Sequence, residues 1–138
     1  MFRDRRLDPG IASGAGQAVS GNWLGAASTG EGAPIPMQIA DKFRGREFSS
    51  FKAFRRVFWK AVANDEFLID QFTQLNKIDV RDGLSPSALP SEQVGGRKKF
   101  EIHHIKPISE GGAVYDIDNL RILTPKQHIE THSRKGEM

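Results

Sequence analysis

Phe48, Phe51, Phe54, Phe58, Trp59 and Val62 recur mostly at three- and four-residue steps, with Lys52, Arg55, Arg56 and Lys60 between them. That period suits an α-helix and not a strand. It predicts an amphipathic helix from about Ser50 to Ala63, capped by Ser49 or Ser50. So many rings on one face need a cover, and the rest of the chain must build its core against them. Base stacking is the other use of exposed rings in a basic setting. Burial in the core is the simpler reading. A chain of 138 residues is enough for one such core and not comfortably two.

The segments around this helix read less regularly. Residues 8 to 36 are rich in Gly, Ser, Ala and Pro, with turns expected at Asp8-Pro9-Gly10 and around Pro34 and Pro36. Trp23, Leu24 and Ile35 argue against a free linker and for an arm pinned to the domain. Met37 to Arg44 reads as a short helix ending at Gly45. A further helix is expected from Asn64, with Asp65 and Glu66 in its first turn and Phe67, Leu68, Phe72 and Leu75 on its apolar side. Gly83, Pro86 and Pro90 break the next stretch of chain into loops. Phe100 to His103 and Leu120 to Leu123 read as short strands around a loop from Ser109 to Asp118. Pro125 opens a terminal helix capped by Thr124.

Charge and composition narrow the function classes. There is no cysteine, which excludes disulfides, thiolate ligands and a cysteine nucleophile. No apolar run approaches the ~20 residues of a membrane span, and the charged start Met-Phe-Arg-Asp-Arg-Arg does not read as a signal peptide. The formal net charge is +3, which favours a polyanionic partner without requiring one. From Asp65 to Glu92 six acids face two bases, a window of net −4. Ordinary solvated surface explains it, and so does a second face for a different partner.

All four histidines lie between positions 103 and 132. His128 and His132 are four apart, so they share one face of the terminal helix and can bite one metal ion. His103 and His104 are adjacent on a strand and should point to opposite sides. If both are used, one faces the metal and the other the substrate. Spacing alone does not distinguish a structural metal from a catalytic one, and a helical His pair is often mere surface.

The wording of this segment identifies a resemblance. Phe100-Glu101-Ile102-His103-His104-Ile105-Lys106-Pro107-Ile108, then Gly111-Gly112, Tyr115 to Leu120, Thr124 to His128 and finally His132 resemble the DNase domain of the nuclease bacteriocins. These are the colicin-type toxins and the S-type pyocins. The similarity extends upstream through Pro9-Gly10, Gly21-Asn22-Trp23-Leu24, Pro34-Ile35-Pro36, Arg44 to Phe48 and Phe58-Trp59, so it covers nearly the whole chain.

That resemblance implies an α+β fold, mostly helical, ending in a ββα-metal (HNH) motif. It implies a single cytotoxic domain: residues 1–36 an arm packed on the domain, 37–95 a helical region with an immunity-binding sector, and 96–138 the HNH motif. His103, His128 and His132 would hold one divalent ion (zinc, nickel or magnesium), with a further position left to water or substrate. His104 would be the general base. Arg6, Arg97 and Glu101 match functional positions, and Asn119 would brace the hairpin loop. The activity would be metal-dependent, sequence-tolerant hydrolysis of double-stranded DNA, leaving a 5′-phosphate and a 3′-hydroxyl. The toxin would be released by its maker and act in the cytoplasm of the target cell, with receptor-binding and import domains upstream. The chain would be a monomer or a 1:1 heterodimer with a small acidic immunity protein.

The matching partner surface runs from about Gln71 to Arg97. There the sequence departs from the colicins, in which a bulky aromatic follows the Ser-Pro step. Here Ser85-Pro86 is followed by Ser87, and Leu84 and Leu89 are the apolar anchor candidates. Two rivals stand beside this reading: a non-catalytic nucleic-acid-binding module with a structural metal, and an HNH nuclease of another role. The first needs no spare His104; the second does not explain the likeness of the arm.

Overall fold

A computed structural model of the chain describes residues 4–136. The first three residues of the charged start, and the last two of the chain, lie outside them. In chain order the elements are β1 (Gly10–Ile11), β2 (Ala33–Pro34), α1 (Met37–Phe43), β3 (Glu47–Phe48), α2 (Phe51–Ala63), α3 (Glu66–Ile69), α4 (Gln74–Arg81), β4 (Glu101–His104), β5 (Leu120–Leu123) and α5 (Pro125–Gly136), with 3-10 turns between several of them. The architecture is α+β, as expected, with two small antiparallel sheets. One pairs β1 with β3, and the other runs in the order β2-β5-β4.

Helix α2 forms where its pattern places it. Ser50 sits outside the helix and its hydroxyl accepts from the Ala53 N–H at 3.2 Å. Phe51, Phe54, Phe58, Trp59 and Val62 are buried, while Lys52, Arg55, Arg56 and Lys60 face outward. Phe54 has no exposed surface and packs between the rings of Phe43, Phe48 and Phe51, with centroids 5.1 to 5.5 Å away. Each fully buried ring contributes about 1.5–3 kcal/mol of transfer free energy. The arm is pinned, as its Trp and Ile required. Trp23 and Ile35 are buried, and the Trp23 indole N–H donates to the Pro34 carbonyl at 2.7 Å. Helix α1 ends at Phe43, and Gly45 follows with φ of +86°.

Three local expectations need correction. The single helix from Asn64 is two helices. Asp65 caps α3 by accepting from Leu68 N–H, and Thr73 caps α4 by accepting from Asn76 N–H. A threonine that turns its hydroxyl onto the backbone starts a helix rather than continuing one. The buried residues are therefore Leu68, Ile69 and Val80, while Phe67 and Leu75 are exposed. Pro34 makes no turn; it lies in β2, on the sheet edge, where the missing N–H is tolerated. The expected hairpin thus gains a third strand from the arm. Finally, the first strand runs Glu101–His104, one residue later than the sequence suggests.

Helix α5 starts at Pro125, and the Thr124 hydroxyl accepts from the Gln127 N–H at 3.1 Å. The same hydroxyl donates to Glu92, and the Gln127 amide donates to the Gly30 carbonyl at 2.9 Å. The helix that carries two histidines is therefore tied at its first turn to both the arm and the loop before β4.

Because the Phe54 ring has no exposed surface and packs among other aromatic rings, Phe54→Ala should lower stability by about 3–5 kcal/mol. Urea unfolding measures this, and a loss below ~1 kcal/mol would mean that the aromatic face is not the centre of the core.

Candidate metal centre and its cleft

Strand β4 pairs with β5 in the register Glu101 to Leu123 through His104 to Leu120. That register sets His103 beside the first turns of α5. Nδ1 of His103 lies 3.2 Å from Nε2 of His128, which lies 3.0 Å from Nε2 of His132. One nitrogen from each ring falls within a cluster 4.8 Å across. Nitrogens bound tetrahedrally to one zinc ion stand about 3.3 Å apart, given Zn–N of ~2.0–2.1 Å. The three rings could therefore hold a metal ion with little movement. His103 is buried, His128 half-buried and His132 exposed, so the cluster opens toward solvent on one side.

A carboxylate fixes the middle ring. Glu101 Oε1 lies 2.8 Å from His128 Nδ1. An ionised carboxylate only accepts, so Nδ1 carries the proton and Nε2 keeps its lone pair for the cluster. Arg97 grips the same carboxylate with Nε at 2.9 Å and with Nη2. Burial pushes the Glu101 carboxyl upward, but the hydrogen bonds from Arg97 and His128 outweigh it and hold the group below its ordinary value. Glu101 thus stays charged and orients His128 at neutral pH. Arg97 and Glu101 meet each other, with the carboxylate passing the contact on to the cluster.

His104 points to the other side of the strand. Its ring lies 4.8 Å from Phe51, and Nε2 lies 3.0 Å from the Val114 carbonyl. A carbonyl only accepts, so Nε2 carries the proton of the neutral ring and Nδ1 is left as the acceptor. Burial lowers the His104 pKa below the ordinary 6.5, with Arg6 and Arg5 adding to the effect against the opposing bond to Val114. The ring is therefore neutral at pH 7. The loop that supplies Val114 is braced by Asn119. Its Oδ1 accepts from Lys106 N–H at 2.8 Å, and its Nδ2 donates to Lys106 and Ala113 carbonyls at 3.2 and 3.0 Å.

Two adjoining hollows flank the cluster and share Arg6, Ile102 and His128. One, of about 490 Å³, is lined by all four histidines. The strand ends at His104, so both members of the His pair reach it. The other, of about 790 Å³, is lined by Arg6, Lys52, Arg55, Arg56, Arg97 and Glu101 among others. Arg6 stands where the hollows meet, exposed, its guanidinium forked onto Asp4 at 3.0 Å. In the sequence, the outward cations of α2 read only as the wet face of a helix. Their helical spacing is the available signal, but the opposite wall, from Asp82 to Ser85 and at Arg97, is remote in sequence. Arg5 carries no local signal at all, because its contacts lie more than a hundred residues away.

The five partner candidates are shared between two neighbouring hollows. Leu84 and Ser85 line the larger hollow, whereas Pro86, Ser87 and Leu89 line a separate groove beside Asn22 and Phe72. Pro86 is buried, and Leu84 and Leu89 are 50% and 72% exposed. Leu75 and Ile78 on α4, at 77% and 54%, are further exposed apolar residues of this sector.

A family model described as Colicin/Pyocin-S2, DNase domain, matches residues 10–134. Pyocin-S2 of Pseudomonas aeruginosa is 58% identical over 132 residues, which cover 96% of this chain and 19% of that protein. Colicin-E8 of Escherichia coli is 52% identical over 124 residues, covering 90% of this chain and 60% of the relative. The chain thus spans about a fifth of the length of Pyocin-S2. Among solved structures, the pyocin AP41 DNase-Immunity complex superposes with a TM-score of 0.89 at 51% identity, covering 92% of this chain and 99% of that one. The mutant nuclease domain of pyocin S8 with its cognate immunity protein superposes at 0.87 and 58% identity, covering 89% and 98%. With a family model over most of its length and relatives above half identity, this chain belongs to the colicin/pyocin DNase domain family.

Proposed function

We propose that the chain is a metal-dependent DNA endonuclease of the HNH type, the killing domain of a bacteriocin that acts in the cytoplasm of its target cell and is restrained by an immunity protein. The observation that carries this is the convergence of three imidazole nitrogens beside a fourth, separately held imidazole in one open cleft. A purely structural metal site is closed by four ligands and needs no spare base. No helix among the described residues is long and apolar enough to cross a membrane.

Each residue then has a task. His103, His128 and His132 hold the ion, with Glu101 fixing the tautomer of His128 and Arg97 fixing Glu101. When bound, a divalent ion (zinc, nickel or magnesium) supplies Lewis acidity at the scissile phosphate and at its 3′-oxygen. His104 takes a proton from the attacking water through Nδ1. The new P–O bond forms as the bond to O3′ breaks, leaving a 5′-phosphate and a 3′-hydroxyl. Arg6, released from Asp4, can fork onto a phosphate oxygen. Lys52, Arg55 and Arg56 line the larger hollow and track the backbone of double-stranded DNA. Phosphate contacts of this kind carry little sequence information, so cutting is sequence-tolerant.

The partner sector belongs to residues 71–97, with residues 96–138 carrying the chemistry. Leu75, Ile78, Leu84 and Leu89 are exposed there amid Asp70, Asp79 and Asp82. An acidic partner face would meet like charge, so the cognate immunity protein presents a more apolar or less acidic one.

Four outcomes test this reading. Wild-type protein should nick supercoiled plasmid only with added metal, and His104→Ala should cut 10²- to 10⁴-fold more slowly while still binding the ion. At saturating metal the acid limb of kcat/KM should fall below pH 6.5, because burial keeps His104 neutral to lower pH. Folded protein that binds DNA and never cuts would instead support the structural-metal module. Glu101→Gln should weaken metal binding about 10–100-fold in competition with a chelator; unchanged affinity would remove Glu101 from the centre. Leu84→Ala and Leu89→Ala should each raise the Kd of the cognate immunity protein about tenfold or more. Unchanged Kd in both, or tight binding of a strongly acidic immunity protein, would reject the proposed partner face.

A further inference from the structure

Three successive carbonyls in the loop between β4 and β5 are each held by a different side chain. Gly112 O accepts from Arg5 Nη2 at 2.8 Å, Ala113 O accepts from Asn119 Nδ2 at 3.0 Å, and Val114 O faces His104 Nε2 at 3.0 Å. Arg5 Nη2 also donates to Ile108 O at 2.7 Å. One half-buried guanidinium from the arm therefore bridges both ends of the turn Ser109-Glu110-Gly111. The loop is already narrow there. Gly112 N–H donates to Pro107 O at 2.9 Å, and a Cβ on Gly112 would fall 1.9 Å from Lys106 O. Other bonds seat the arm along the same loop: Tyr115 Oη donates to Asp8 O at 2.6 Å, and Ala15 and Gly16 N–H donate to the Asp118 carboxylate.

We propose that Arg5 is a positioning residue for the reaction. It locks the arm onto the loop, so that Val114 O stays in place to hold the His104 ring while the neighbouring Arg6 stays at the mouth of the cleft. This rests on the reading of His104 as the base. Arg5 acts on cutting through geometry, with both Nη2 protons engaged by carbonyls; a phosphate contact through its Nε or Nη1 donors is the rival that the salt dependence below separates. A lysine ammonium, with three donors, can satisfy the same two carbonyls in part, whereas a methionine of similar length cannot.

The test compares wild type, Arg5→Met and Arg5→Lys by three readouts. These are amide hydrogen exchange over residues 105–119, the His104 imidazole signals in NMR spectra, and steady-state plasmid cutting at several salt concentrations. Arg5→Met should speed exchange across the loop, shift the His104 ring signals and lower kcat about tenfold or more, with KM for DNA and metal affinity within about twofold of wild type. Arg5→Lys should recover kcat in step with loop protection. Unchanged exchange and kcat in Arg5→Met would overturn the proposal. So would a raised KM with a log–log salt slope shallower by about 0.9 and an intact loop, the signature of one lost phosphate contact. Should the wild type not cut DNA at all, the nuclease reading fails, and exchange and the His104 signals still decide whether the tether exists.

Discussion

The ring of Phe51 lies 4.8 Å from the imidazole of His104, and this contact joins the aromatic core to the chemistry. Phe51 opens α2, stacks on Phe54 and closes one side of His104. Burial of that imidazole holds its pKa below the ordinary value, which favours the neutral ring that the proposed base requires. The same strand must hand its preceding residue, His103, to the opposite side. A β-pleat does this without added cost, since neighbouring side chains alternate. A helix would instead set neighbouring residues about 100° apart around its axis.

The cluster itself depends on hydrogen bonds made some distance from it. The ring nitrogens of the three histidines lie within hydrogen-bonding distance of one another, and partners outside the cluster help to hold the rings converged. Glu101 supplies one for His128, and Arg97 keeps that carboxylate ionised despite its burial. Thr124 and Gln127 anchor the first turn of α5, which fixes the distance between His128 and β4. An ion placed among the three nitrogens would be ligated by all of them, so metal binding and local order should rise together.

Much of this is legible in the sequence because it obeys local rules. The spacing of Phe51, Phe54, Phe58 and Trp59 defines α2, and Ser50, Thr124 and Pro125 mark helix starts. Clustering of His103, His104, His128 and His132 points to the site, and alternation along a strand sends the first two to opposite sides. The features that stay hidden depend on partners distant in sequence. Strand β2 exists because Ala33 and Pro34 lie beside Ile122 and Arg121, and two residues carry no periodicity. Thr73 reads as a helix residue until its hydroxyl turns onto Asn76 N–H. Arg5 bonds to carbonyls 103 and 107 residues away. The partner candidates Leu84 to Leu89 are close in sequence, but the fold places Leu84 and Ser85 on one hollow and Pro86, Ser87 and Leu89 on another.

The proposed centre holds one divalent ion among His103, His128 and His132, oriented by Glu101 and flanked by His104. X-ray absorption at the metal edge of protein loaded with one equivalent of zinc tests it most directly. The account predicts three imidazole nitrogens at ~2.0–2.1 Å, the remaining position filled by oxygen, and loss of one nitrogen in His128→Ala. A shell of oxygens alone, or a spectrum unchanged in His128→Ala, would contradict it.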